Sequence, residues 1–127
     1  NAHQTCVGAA AGCMECRRSI EACPTGALGA GGFDRNRCLS FLSQKKGGLT
    51  GEEEALLRRG GSAWGCDICQ EVCPCNAGRT PVPLPEFLQD PQPRLQSGTS
   101  PGGRAFAWRG ADVLTRNLRI LAGSQGT

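Results

Sequence analysis

Cysteine is the residue whose number and spacing can do chemistry in this chain: 127 residues hold nine of them. Most fall in two tight groups, Cys13-Met14-Glu15-Cys16-Arg17-Arg18-Ser19-Ile20-Glu21-Ala22-Cys23-Pro24 and Cys66-Asp67-Ile68-Cys69-Gln70-Glu71-Val72-Cys73-Pro74. Thiolates this close together are soft, anionic ligands, suited to zinc or to iron bridged by sulfide. The spacing favours iron and sulfide. A run C-x2-C-x2-C-x3-C-P cradles one [4Fe–4S] cluster with its first three members and sends the fourth to a neighbouring cluster. Positions 13, 16, 19 and 23 follow that run, with Ser19 in third place. Positions 66, 69 and 73 are its last three members, with Ala63 where the first would stand. The chain therefore contains an internal repeat, each copy lacking one thiol in a different place.

Crossed ligation then assigns partners. Cys13, Cys16 and Ser19 hold one cluster and Cys73 completes it. Cys66 and Cys69 hold the second, Cys23 crosses over to it, and Cys38 takes the place that Ala63 leaves vacant. At the Ser19 site a complete cluster, a [3Fe–4S] centre and no centre all remain open, and Cys75 or Cys6 could stand in for the missing thiol. Remote ligands of this kind tie distant segments together, so binding the clusters is also folding energy. They also bring the two clusters close, which suits electron transfer. A four-thiolate zinc site from Cys13, Cys16, Cys66 and Cys69 leaves Cys23, Cys38, Cys73 and both Cys-Pro steps without a role. A disulfide framework leaves one of nine thiols over.

The rest of the composition says why such staples are needed. With 19 Gly, 5% aromatics and no Tyr, the chain has little material for a self-sufficient core. A net charge of +3 does not point to nucleic acid. Arg104, Arg109, Arg116 and Arg119 are expected on solvated surface; phosphate contacts from them would belong to a non-redox, RNA-binding zinc module. The run 26–32 (GALGAGG) matches a phosphate loop only in composition, lacking G-x-G-x-x-G and a preceding strand. His3 is expected to be solvated, and Trp64, beside Gly65-Cys66, to shield a cluster.

The elements that must position these ligands are short. Asp34 can cap a helix over about 35–46, which ends in Lys45-Lys46 before Gly47-Gly48. Thr50 and Glu53 form a capping box for a second helix, with Arg58 and Arg59 in its last turn and Gly60 as terminator. That helix reads as a solvated, charged spacer between the cysteine groups. A single turn is expected at Pro85-Glu86-Phe87-Leu88. Near the end, Val113, Leu114, Asn117, Leu118 and Leu121 share a helical face, with Arg109, Asp112, Arg116 and Arg119 mostly opposite. The expected organisation is a linker over 1–12, a double [4Fe–4S] domain over 13–76, a Pro/Gly-rich connector over 77–103, and a C-terminal helix and tail over 104–127. The fold class is small, α-rich, irregular α+β: a di-cluster ferredoxin-like domain with added helices. The chain starts at Asn1 and has no signal peptide or membrane-length apolar run. The expectation is a C-terminal piece of a longer cytoplasmic protein with no membrane partner.

The stretches CMECRRSIEACPTGAL (13–28), DRNRCLSFLSQKKG (34–47) and WGCDICQEVCP (64–74) together resemble the C-terminal half of tRNA epoxyqueuosine reductases and their short relatives, and AWRGADVLTRNLRIL (107–121) resembles the helix that follows there. The resemblance covers roughly 13–122. It implies two [4Fe–4S] clusters passing electrons to a cobalamin, which reduces epoxyqueuosine in tRNA to queuosine. It puts Cys13, Cys16, Ser19 and Cys73 on one cluster and Cys23, Cys38, Cys66 and Cys69 on the other. It also implies an upstream cobalamin-binding catalytic domain, an external electron donor and tRNA as partners. Ser19 stands where that family has Cys, and nothing in the chain corresponds to the cobalamin domain, so this chain alone is not expected to be a reductase. The alternative is a di-cluster ferredoxin-type module serving another redox system.

Overall fold

Short elements are what a Gly-rich, Cys-rich sequence can support, and the structure, a computed structural model, contains little else. It describes residues 16–78, 80, 84–91 and 94–123. The expectations for Cys6, Cys13 and His3, and for the 1–12 linker, fall outside those residues.

Arg17, the one described non-glycine residue with positive φ (52°), turns the chain into α1 (Arg18–Ala22). The glycine-rich run is a hairpin: β1 (Leu28–Gly29) pairs antiparallel with β2 (Gly32–Phe33), Leu28 opposite Phe33 and Gly29 opposite Gly32. A 3-10 turn (Arg35–Arg37) follows, and the Asp34 side chain accepts from the Asn36 N–H at 3.0 Å.

The single helix expected over 35–46 is not what forms. The chain breaks at Cys38, which is extended (φ −72°, ψ 122°), and restarts as α2 (Leu39–Gln44). A continuous helix would keep residue 38 in the helical surface; the extended residue turns its thiol toward the other cysteines instead.

Helix α3 (Gly51–Gly60) has the expected capping box, with Thr50 Oγ1 accepting from Glu53 N–H and Glu53 accepting from Thr50 N–H. It runs through Gly60 and stops at Gly61, whose φ of 67° is the left-handed cap that glycine adopts without strain. It is more than a charged spacer. Leu57 is fully buried, and α3 packs on α2 and on the C-terminal helix. Gly60 lets its backbone lie directly on Leu39: a Cβ there would overlap Leu39 Cδ1 and reach Cδ2 at 2.9 Å. Short α4 (Ile68–Glu71) packs against α1, and a 3-10 turn (Pro74–Asn76) follows. The expected single turn exists as α5 (Pro85–Leu88). A last 3-10 turn (Ala107–Arg109) leads to α6 (Ala111–Ala122). The described chain is thus a small, largely helical unit with one two-stranded sheet.

The core is correspondingly small: Ala27, Leu39, Leu42, Leu57, Phe106, Val113, Leu114 and Ile120. On α6 the expected apolar face is partly right, with Val113, Leu114 and Asn117 buried and Ile120 in the place expected of Leu121. Arg116 is the correction: expected on the solvent side, it is buried. Its five N–H groups are all used, on Asn117 Oδ1 twice and on the carbonyls of Leu42, Lys45 and Gly47. Those carbonyls belong to the end of α2 and its exit loop, where helix geometry leaves acceptors without partners. Burial pushes the guanidinium pKa down, and the charges of Glu53 and Glu54 oppose that.

Lys45 Nζ meets Glu53 Oε1 at 2.6 Å, joining the end of α2 to the start of α3. The Lys45 hydrogen bond, followed by the Thr50 N–H, holds the Glu53 carboxyl below its ordinary value. A carboxyl depressed in the fold adds stability above its unfolded pKa and loses it as pH falls through the folded one. Glu53→Gln is therefore expected to lower the melting temperature at neutral pH, with the gap to wild type closing as pH drops through and below the carboxylate range. A gap that persists at low pH would show that the charge of Glu53 is not what stabilises this corner.

Candidate metal centre

Three separate segments deliver four thiols to one place. Cys23 caps the end of α1, Cys38 sits at the break before α2, Cys66 comes from the loop before α4 and Cys69 from α4 itself. All four are free thiols and line a single cavity of about 270 Å³, closed on its sides by Thr25, Leu28, Phe33, Leu39 and Ile68. Their crowding shows in their acidity. Burial first, then the charges of Cys66, Cys38 and Cys23, push the Cys69 thiol up, against a lowering by its own backbone N–H. Cys23 goes the other way. Burial is the largest single influence and raises it, but the backbone N–H groups of Leu28, Thr25 and Ala27 and the Thr25 hydroxyl together bring it below its ordinary value. The three backbone N–H groups already face the sulfur where a thiolate would need them.

Local hydrogen bonds fix the spacing of these segments. Thr25 Oγ1 lies 3.7 Å from Cys23 Sγ and donates to the Arg37 carbonyl at 2.6 Å, while Arg37 Nε donates back to the Thr25 carbonyl at 2.8 Å. This reciprocal clamp joins the turn after Cys23 to the residue before Cys38. On the other side, Ser43 Oγ in α2 accepts from Gly65 N–H at 2.9 Å, immediately before Cys66.

The donor set suits a cluster better than an ion. Four thiolates on one zinc at about 2.3 Å would stand only ~3.8 Å apart. The four cysteines line a shared cavity of about 270 Å³. A sulfide-bridged cube of iron takes one thiolate at each corner and fills such a space.

Of the other expected ligands, Cys13 lies outside the described residues. Cys16 is exposed, Ser19 is half-buried on α1, and Cys73 is half-buried just after α4. The packing of α1 on α4 brings the segments of Ser19 and Cys73 side by side, across an open groove lined by Arg18, Glu21, Ala22, Glu71, Val72 and Cys73. Cys75 is not among the free thiols. Trp64 packs, but on Phe106 (ring centroids 5.6 Å apart) rather than on the thiol cavity.

The arginines do not form the phosphate-facing surface that an RNA-binding reading needs. Arg104 is held by the Asp90 carboxylate and carbonyl, Arg116 is buried, and Arg109 lies over the Trp108 ring at 4.0 Å; of the four, Arg119 alone is exposed as expected. The Thr25–Arg37 clamp, the hairpin that brings Phe33 to the cavity, and the Arg116–Asn117 pair were not foreseen from sequence. No spacing rule marks them, since each depends on tertiary contact.

The family model described as "4Fe-4S double cluster binding domain" matches residues 12–76. Among curated proteins, the epoxyqueuosine reductase of Bacillus subtilis (strain 168) is 38% identical over 123 residues, covering 87% of this chain and 31% of that protein. Those of Bacillus anthracis and Bacillus cereus are each 40% identical, covering 87% of this chain and 32% of theirs. The chain thus spans about a third of the length of these relatives. No solved structure matches. No described helix is long and apolar enough to cross a membrane. With the thiol spacing, the cavity and a family match over half its length, this chain belongs to the 4Fe-4S double cluster binding domain family, whose cofactor is a pair of [4Fe–4S] clusters.

Proposed function

We propose that this chain is the electron relay of an epoxyqueuosine reductase-like oxidoreductase acting in tRNA queuosine biosynthesis. The carrying observation is the similarity to epoxyqueuosine reductases across 87% of the chain. The four thiols around one cavity support it. Cys23, Cys38, Cys66 and Cys69 hold one cluster; Cys13, Cys16, Ser19 and Cys73 hold the other, in a ferredoxin-like crossed arrangement over residues 13–76. Bound there, the clusters supply one-electron transfer. The chain's own part is to present thiolates, keep water off them with Leu28 and Leu39, and aim the N–H groups of Thr25, Ala27 and Leu28 at the Cys23 sulfur. The partners that follow from this reading are a cobalamin-binding catalytic domain, an external electron donor and tRNA, in the cytoplasm. Residues 77–103 serve as connector and 104–127 as the closing helix and tail.

Metal analysis after anaerobic purification tests the reading. Expected are iron and acid-labile sulfide at about eight each per chain if both clusters are complete, with broad absorbance bleached by dithionite. Ser19→Cys is expected to raise iron per chain or to slow its loss in air; unchanged iron and unchanged lability would remove Ser19 from the ligand set. Zinc without labile sulfide would end the relay proposal. For the pathway, disrupting the coding region in its host should leave epoxyqueuosine in tRNA. Intact clusters with normal queuosine would instead assign the relay to another redox enzyme.

A further inference from the structure

The family match ends at residue 76, yet the most thoroughly hydrogen-bonded side chains of the structure lie well beyond it, on α6. Asn117 is fully buried. Its Nδ2 donates to the Ser43 carbonyl at 2.7 Å and to the Ala63 carbonyl at 2.8 Å, and its Oδ1 accepts twice from Arg116, at 3.0 and 2.8 Å. Every hydrogen-bonding position of the amide is therefore used. A half-satisfied buried network costs more than an apolar core, whereas a complete one specifies a single arrangement.

What this network specifies is the relation of two ligand segments. The Ser43 carbonyl belongs to α2, which begins right after Cys38. The Ala63 carbonyl stands three residues before Cys66, at the place where the repeat lacks its first thiol. Asn117 bridges the two, and Ser43 adds a second tie through its hydroxyl to the Gly65 N–H. The segment without its own ligand is thus fastened to the helix that lends one.

We infer that Arg116 and Asn117 are positioning residues for the cluster held by Cys38, Cys66 and Cys69: α6 sets the distance between the substitute ligand and the Cys66 loop. Arg116 orients the Asn117 amide and holds the end of α2 by its carbonyls; Asn117 sets the loop against that helix. Neither touches the cluster. This rests on the ligand set proposed above.

The test uses the protein carrying its clusters, kept anaerobic, with Asn117→Leu, Ser43→Ala and, as reference, Cys38→Ala. The readouts are the EPR signal and midpoint potential of each cluster and the rate of iron loss to a chelator. Asn117→Leu should lose the Cys38-dependent cluster about 10–100 times faster, as expected when buried groups are left without their partners. Ser43→Ala, which removes the bond from Gly65 N–H together with a local bond to the Ser40 carbonyl and leaves α6 packed, should lose it about 2–10 times faster, the equivalent of the one hydrogen bond that joins the two segments. It carries the test where Asn117→Leu does not fold. Both should shift the potential of that cluster and leave the other cluster's signal and lability as in wild type. Equal acceleration at both clusters, or no change at either while Cys38→Ala still loses one, overturns the positioning role alone. Retention of both clusters in Cys38→Ala overturns the ligand set and the positioning role with it.

Discussion

Replacing Cys38 with Ala is expected to cost the protein one whole cluster, taking iron from about eight to about four per chain. Cys38 belongs to neither cysteine group; the vacancy at Ala63 and the family resemblance named it, and its place in the fold now supports it. Asp34 starts a 3-10 turn, the turn ends, and Cys38 is left extended before α2, on the wall of the cavity that Cys23, Cys66 and Cys69 also line. With the thiol removed, the remaining three are a poor match for a cube with four corners, and the Leu39 side would open to water. The EPR signal that survives should be that of the cluster on Cys16 and Cys73, and it should match wild type. Undiminished iron, or loss of the other signal, would show that the cluster partition is wrong.

Leu57→Ala should rank with Leu42→Ala as the most damaging of the apolar substitutions, since these two leucines are both fully buried. Leu57 is the one fully buried side chain of α3, a helix whose other residues are Glu, Arg, Gly, Ala55 and the half-buried Leu56, and it is what seats α3 on α2 and α6. Truncating a buried leucine costs about 2–5 kcal/mol. A domain has only about 5–15 kcal/mol to lose. Loss of this size lowers the melting temperature by on the order of 10 °C or more. Leu56→Ala is the control: Leu56 is only half-buried, and its truncation should cost clearly less. Anaerobic thermal melts followed by circular dichroism would check this, and equal costs at 56 and 57 would mean that α3 is not seated as described.

What was legible in the sequence were features written in neighbouring residues. The capping box of α3 needs only Thr50 and Glu53 and appeared as expected. The turn at Pro85 follows from proline at a helix start. The cysteine spacing carried the chemistry to the family that the comparisons then showed. Cys23, brought to Cys66 and Cys69 by the crossing rule, and Cys38, expected in the place of Ala63, line one cavity with them. Features that depend on distant chain were illegible. A continuous helix through Cys38 satisfied every local preference of residues 35–46, and the extended backbone at Cys38 breaks it. Arg116 looked like surface because burying an arginine is costly until its donors are matched; here the acceptors come from residues 42, 45 and 47, about seventy positions earlier. Leu57 hid among Glu and Arg for the same reason, since a ten-residue helix with one buried leucine has almost no periodic pattern. The hairpin at 28–33 is two residues per strand, too short to alternate.

The crossing of α3 over Leu39 ties the wall of the thiol cavity to a residue with no side chain. Leucine 39 is the immediate neighbour of Cys38, and the helix passing above it is bare at Gly60. A methyl group added at that crossing would run into the Leu39 side chain, which itself lines the cavity. Positions 39 and 60 therefore answer to each other across the helix pair: bulk gained at one has to be given up at the other.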